Sequence, residues 1–144
     1  MDDTFDTPTD EDALENSSKK VKIMFSSKLH LFILVHGLGG SQNDMLNLKN
    51  YISLVYPHAQ FLISNKNSGK NSNKDIEILA SNLIDEIEDD IDFYGIKNID
   101  KISFFGFSLG GIIVRAILPK LSKYKDKFYT YVSFGTPHLG LKIK

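Results

Sequence analysis

The stretch FFGFSLGG, residues 104–111, ends one apolar run of the chain and begins the next. Ser108 stands in it with Gly106 and Gly110 two positions away on either side, the pattern G-x-S-x-G in a strand–turn–helix context. A serine at the apex of such a sharp turn is strained and tolerates only small neighbours, and Gly111 allows the following helix to pack closely. We expect the Ser108 hydroxyl to point to the amino end of that helix, where unpaired N–H groups favour developing negative charge. The stretch therefore predicts a nucleophilic serine.

A second stretch, LFILVHGLGG at residues 31–40, predicts a loop that serves the same chemistry. Its glycines, beginning with Gly37, allow backbone N–H groups to turn inward at the end of a strand. We expect the N–H of Leu38, together with that of Leu109, to stabilise the oxyanion of a tetrahedral intermediate. His36 ends a buried strand, and we expect it to fix this loop by hydrogen bonds rather than to act as a base.

Predicted strands and helices alternate along the chain. Apolar runs predict strands at residues 21–25, 29–35, 59–64, 101–106 and 128–135, and helical periodicity predicts helices at 43–55, 76–91 and 111–121. This alternation predicts a mostly parallel sheet with helices on both faces, a three-layer α/β sandwich. If the crossover direction reverses after the second crossover, strands 29–35 and 101–106 are neighbours, and a crevice opens at their carboxyl ends.

The charge distribution separates the first 18 residues from the rest of the chain. Residues 1–18 hold seven of the 18 acidic residues and no Lys or Arg, which predicts a disordered acidic tail before one domain at 19–144. The lysines elsewhere are scattered, so we expect no nucleic-acid binding. The chain has no cysteine and no apolar run long enough to cross a bilayer, and its acidic first residues lead us to expect no signal peptide. We therefore expect a soluble, cytoplasmic protein with no transmembrane segment.

Two polar stretches inside the domain are interpreted as surface. The segment SNKNSGKNSNKD, residues 64–75, predicts a mobile surface loop, with a substrate lid as the alternative. The acidic residues at 85–92 predict the solvated face of an amphipathic helix, and they show no pattern typical of a metal site.

Three stretches together, LVHGLGG, GFSLGG with a following arginine, and VSFGTPHLG, resemble the "putative serine esterase" domain family of lipase-like α/β-hydrolases. The resemblance runs from about residue 29 to residue 140. It implies an α/β-hydrolase fold with Ser108 as the nucleophile and the Leu38 and Leu109 amides as the oxyanion hole. It also implies that His138, in the signature GTPHLG, is not the histidine of a catalytic triad.

Such hydrolases carry an acid and then a histidine after the nucleophile. After Ser108 the chain offers only Asp126 and His138, and the predicted strand between them is about 23 Å long, so they cannot form one dyad. We therefore expect residues 19–144 to be a partial hydrolase domain, truncated after the strand carrying VSFGTPHLG. This fragment would lack the triad acid and histidine. A non-catalytic α/β-hydrolase-like binding module is the alternative.

The expected substrates are carboxylic esters, lipid or short acyl, because the predicted loops around the serine are uncharged and apolar. No cofactor and no metal are implied, since an activated serine carries out this chemistry itself. The sequence indicates no particular partner protein. A nucleotide-binding domain that uses HGLGG as a phosphate loop is a further alternative, but the stretch lacks the Lys-Ser/Thr of a P-loop and falls short of G-x-G-x-x-G.

Overall fold

A four-stranded, all-parallel sheet forms the centre of the computed structural model, which describes residues 28–140. The strands are β1 (Leu29–Val35), β2 (Ala59–Ile63), β3 (Ile99–Phe107) and β4 (Phe128–Phe134), and their order in the sheet is β2-β1-β3-β4. The predicted α/β class is therefore confirmed. The predicted strand at 21–25 and the predicted tail at 1–18 lie outside the described residues.

Three α-helices connect these strands: α1 (Leu46–Val55), α2 (Ile76–Tyr94) and α3 (Leu109–Ile117). Short 3₁₀ turns lie at Gln42–Met45, Gly69–Asn73 and Ser122–Lys127. The first of them replaces the start of the helix predicted at 43–55. Ser41 caps this turn in a reciprocal arrangement with Asp44, which satisfies the free backbone N–H groups there.

The helices cover both faces of the sheet. Strand β1 is buried almost throughout, and its alternate residues point to opposite faces. Leu31, Ile33 and Val35 pack with residues of α2 and α3, whereas Phe32 and Leu34 pack with residues of α1 and the turn before it. Right-handed crossovers in opposite directions produce this division, so the three-layer arrangement follows from the strand order.

The strand order reverses at β1, which pairs with β2 on one side and with β3 on the other. The register of β1 and β3 continues to Val35 opposite Gly106. The loop that follows β1 and the turn that follows β3 therefore emerge side by side at the carboxyl edge of the sheet. In open parallel sheets this is the usual position of a ligand crevice.

On the α1 side, the half of the sheet formed by β3 and β4 remains exposed among residues 28–140. Phe107 is 52% exposed, Phe134 45% and Tyr129 57%. No helix among these residues is both long and apolar enough to cross a membrane.

His30 gives the fold a pH-dependent stability. Desolvation, with a smaller contribution from Lys101, lowers the pKa of His30 below its ordinary value of 6.5. The unfolded chain then binds the proton more readily than the folded chain. The free energy of unfolding should therefore keep its full value above pH 6.5. It should decrease as the pH falls from 6.5 through the lowered pKa of His30.

We expect His30→Gln to weaken this pH dependence, measured as the free energy of urea unfolding on both sides of pH 6.5. His58→Gln is the matched control, because His58 is exposed and should leave the pH dependence as in the parent chain. An equal loss of stability on acidification in His30→Gln and in the parent would contradict the prediction.

Candidate active site

Ser108 occupies the turn between β3 and α3 in a strained backbone conformation. Its φ of 52° and ψ of −120° make it the one non-glycine residue with positive φ among residues 28–140. Its N–H donates a 2.7 Å hydrogen bond to the Phe134 carbonyl oxygen at the end of β4, and its carbonyl accepts from the Gly111 N–H at 3.1 Å. Such conformations cost about 1–3 kcal/mol and persist only where the surroundings hold them. Here β4 and the first turn of α3 hold the serine.

The three glycines around Ser108 allow chain segments to approach more closely than a Cβ would permit. A Cβ on Gly106 would lie 2.6 Å from the carbonyl carbon of Gly110, and a Cβ on Gly110 would lie 2.7 Å from the His36 carbonyl oxygen. A Cβ on Gly111 would lie 2.8 Å from Cγ2 of Thr136. Gly106 thus allows α3 to pack closely on β3. Gly110 allows the same helix to approach the loop after β1, and Gly111 allows it to approach the loop after β4.

The loop after β1 lies directly against the serine. A Cβ on Gly37 would be 3.1 Å from Cβ of Ser108. His36 is 2% exposed, and its Nδ1 donates to the Gly37 carbonyl oxygen at 3.0 Å, which leaves Nε2 for a second partner. The Ser68 hydroxyl lies 3.3 Å from that nitrogen. His36 is therefore engaged in fixing its own loop, and neither of its hydrogen bonds involves Ser108.

Two backbone N–H groups of the serine turn and of the loop after β1 have no partner within the described part of the chain. Among residues 28–140, neither the Leu38 N–H nor the Leu109 N–H donates a hydrogen bond. Leu109 is the first residue of α3, and the first N–H groups of a helix have no acceptor within it. Within this part of the chain, the residue that follows Ser108 and the residue that follows Gly37 each carry an N–H without an acceptor.

Apolar side chains line a groove next to Ser108. Its volume is about 270 Å³, and its walls are Asp44, Met45, Leu48, Phe107 and Phe134. Phe107 precedes the serine, and the Phe134 carbonyl accepts the serine N–H, so the groove begins at the serine turn itself. Four of its five wall residues are apolar, and the fifth, Asp44, is a carboxylate.

Asp126 and His138, the carboxylate and the histidine that follow Ser108 in sequence, form no hydrogen bond with it. His138 accepts from Arg115 through Nδ1 at 3.2 Å, and its Nε2 lies 2.9 Å from the Ser133 hydroxyl. Asp126 lies in the 3₁₀ turn that precedes β4, whereas His138 follows the other end of that strand. Among the described residues, no histidine or carboxylate forms a hydrogen bond with Ser108. No group of three or more His, Asp or Glu residues in that part of the chain has a metal-binding arrangement.

The polar segment at 64–75 differs from the mobile surface loop predicted for it. Ser72 and Asn67 are buried, at 3% and 1% exposure, and Ser72 accepts a hydrogen bond from the Gly39 N–H at 2.7 Å. The segment therefore packs against the loop after β1. Sequence reasoning did not reveal this contact, because serine and asparagine in a low-complexity run have no periodicity that marks a buried position.

We expect Gly110→Ala to destabilise the fold by roughly 3 kcal/mol or more, because the added Cβ would meet backbone atoms that cannot move aside. The control is Gly39→Ala, where φ is +71° and no atom lies within 4 Å, so only the backbone strain of about 1–2 kcal/mol applies. Urea unfolding measures both. Equal losses in the two variants would show that α3 does not pack against the loop after β1 as described.

The comparison with known families agrees with this geometry. A family model described as "Putative serine esterase (DUF676)" matches residues 25–144, which includes all four strands, the serine turn and the loop after β1. The match covers well over half of the chain. The chain therefore belongs to the serine esterase family of that description.

Proposed function

We propose that this protein is a serine hydrolase that cleaves carboxylic esters, with Ser108 as the nucleophile. The observation that carries the proposal is the positive φ of Ser108 at the amino end of α3. A strained non-glycine residue in a strand-to-helix turn is typical of a nucleophile elbow, where the strain lifts the hydroxyl clear of the sheet. Membership in a family of serine esterases supports the same assignment.

In this proposal the N–H groups of Leu38 and Leu109 form the oxyanion hole. The Ser108 oxygen attacks the ester carbonyl carbon while its proton passes to a general base, and the negative charge on the former carbonyl oxygen is held by the two N–H groups. The tetrahedral intermediate then expels the alcohol, which takes up the proton. Water hydrolyses the acyl-serine in a second, equivalent cycle and releases the carboxylic acid.

The general base must come from outside residues 28–140. His36 is committed to the Gly37 carbonyl, and His138 is committed to Arg115 and Ser133. A serine without a base keeps the low reactivity of an ordinary alcohol. In the same way, we infer that the acid which orients this base is supplied from beyond the described part of the chain.

The substrate class that fits best is an ester with an apolar acyl or alkyl group, lipid or short acyl. Leu38 is 63% exposed at the serine, and the groove of about 270 Å³ beside it is bounded by Phe107 and Phe134. Apolar walls with few polar groups favour an apolar portion of the substrate. The alternative, a non-catalytic binding module, is supported by one observation, the lack of a base among residues 28–140. The next experiment distinguishes a hydrolase from a binding module.

We expect the 144-residue chain to react negligibly with a fluorophosphonate probe and to react at Ser108 once imidazole is added as an external base. The rise should be at least about tenfold and should be absent in Ser108→Ala. Ser81→Ala, an exposed serine on α2, is the matched control and should behave as the parent. Mass spectrometry of the labelled peptide locates the adduct.

Two results would overturn parts of the proposal. If Ser108 remains unlabelled at every imidazole concentration while the chain is folded, the serine is not a nucleophile, and the binding module is favoured. If Ser108 is labelled stoichiometrically without imidazole, a base is already present within the chain.

The oxyanion hole has its own test. Replacing Leu109 by the corresponding α-hydroxy acid turns its amide into an ester, which removes the N–H and leaves every side chain in place. We expect the imidazole-assisted labelling rate of Ser108 to fall by about 10²–10³. The same replacement at Ala116, in the last turn of α3, is the control and should leave the rate within about twofold. An unchanged rate in the Leu109 variant would remove this amide from the oxyanion hole.

A further inference from the structure

The polar segment between β2 and α2, residues 64–73, is anchored to α2 at its base. The Asn67 side chain donates to the Leu79 carbonyl oxygen at 2.9 Å and accepts from Asn82 at 2.9 Å. The Glu86 carboxylate accepts from the Asn65 N–H at 2.8 Å, and it also accepts from the Ser64 hydroxyl and the Lys66 N–H. These bonds fix the position of the segment relative to α2 and the direction in which it leaves β2.

The tip of the same segment binds the loop of residues 36–40 at three points. The Gly39 N–H donates to the Ser72 hydroxyl at 2.7 Å, and that hydroxyl in turn donates to the Gly69 carbonyl oxygen at 2.6 Å. The Gly69 N–H donates to the Gly40 carbonyl oxygen at 2.8 Å. Nearer to the sheet, the Ser68 hydroxyl lies 3.3 Å from Nε2 of His36 and equally far from Oδ1 of Asn65.

These contacts determine which N–H of the loop remains free. The Gly37 carbonyl oxygen accepts from both the His36 ring and the Gly40 N–H, at 3.0 and 3.1 Å. In a trans peptide the N–H points away from the carbonyl oxygen, so the Leu38 N–H is directed away from His36. Ser72 occupies the next N–H, that of Gly39. Among the described residues, the Leu38 N–H is thus left without an acceptor, on a loop whose Gly37 lies against Ser108.

We propose that Ser72 is a positioning residue of the oxyanion hole, and that residues 64–73 act as a strap that holds the loop of residues 36–40 in its catalytic conformation. The proposal rests on the proposed function of Ser108. Ser72 suits this role because its hydroxyl is held from both directions, with one bond accepted and one donated, and because it is 3% exposed. Without it, the Leu38–Gly39 peptide could rotate, and the changed torsion angles at Leu38 would disturb the adjoining Gly37–Leu38 peptide, which carries the Leu38 N–H.

The structure offers a conservative replacement at this position. Ser72 borders an open groove of about 510 Å³, whose other walls are Leu38, Gly39, Gly69, Lys70 and Asn73. Threonine carries the same hydroxyl, and we expect its additional methyl group to be accommodated on the side of this groove. Ser72→Thr should therefore keep the strap, whereas Ser72→Ala should release it.

The test follows two quantities in the 144-residue chain. The first is the hydrogen-exchange rate of the Gly39 amide, measured by NMR, which does not depend on catalysis. We expect Ser72→Ala to raise it about tenfold, the effect of losing one hydrogen bond, and Ser72→Thr to leave it near that of the parent. Ser68→Ala serves as a second variant that loosens the strap without removing the bond to Gly39. Ser81→Ala is the matched control.

The second quantity is the imidazole-assisted reaction of Ser108 with a fluorophosphonate, resolved into a maximal rate and a half-saturating probe concentration. A positioning role predicts that Ser72→Ala lowers the maximal rate about tenfold or more and changes the half-saturating concentration less than about twofold. Ser72→Thr should restore the rate. Ser68→Ala should reduce the rate by a smaller factor.

Each outcome decides a separate point. Unchanged Gly39 exchange in Ser72→Ala overturns the strap, whatever the reactivity of Ser108. Faster exchange with an unchanged maximal rate overturns the positioning role. Absence of labelling in the parent chain overturns the proposed function, while the exchange data still decide whether the strap exists.

Discussion

Parallel pairing between β1 and β3 brings together the ends of two strands that are far apart in sequence, and the candidate site depends on that register. Val35 opposite Gly106 means that the loop after β1 and the turn after β3 begin at the same level of the sheet. The close approach of Gly110 to the backbone at the end of β1 follows from it. A shift of the register by one residue would separate Gly37 from Ser108 and would also turn the apolar residues of β1 to the wrong faces.

The site combines a rigid base with two loops that are held mainly by hydrogen bonds. The sheet beneath it is stabilised by burial of apolar side chains on both faces. Above the sheet, the loops contain few apolar contacts, and their conformations depend on groups such as the Ser72 hydroxyl and the His36 ring. Hydrogen bonds are directional whereas apolar contacts are not, so this division gives the fold its stability and the backbone N–H groups their orientation.

Sequence reasoning predicted the parts of this structure that have a local signal. The glycines around Ser108 and the alternation of strands and helices were such signals, and they led to the fold class and to the neighbouring position of β1 and β3. Ser41 and Asp44 also offered one, the spacing of a capping box, which would have predicted the 3₁₀ turn before α1. Ser72 had no such local signal. Its partners are backbone groups of Gly39 and Gly69, and the positions of backbone groups cannot be inferred from residue types.

The acidic run on α2 illustrates the same limit. Its regular spacing correctly predicted an amphipathic helix with one polar face, yet not that Glu86 accepts three hydrogen bonds from the segment after β2. Lys66 pairs with Asp85 and Lys123 with Glu88, at 3.6 and 2.6 Å. What distinguishes Glu86 from these surface carboxylates is its position over the end of β2, and that position exists only once the sheet has formed.

The hydrogen bond from the Ser108 N–H to the Phe134 carbonyl oxygen has a consequence for the order of folding. Phe134 ends the last strand of the sheet, so the elbow cannot be locked in its strained conformation until the chain has been synthesised through β4 and this strand has paired with β3. During synthesis, strands β1 to β3 can assemble while Ser108 still adopts a relaxed backbone conformation. The proposed nucleophile can thus form this hydrogen bond only after its supporting sheet is already in place.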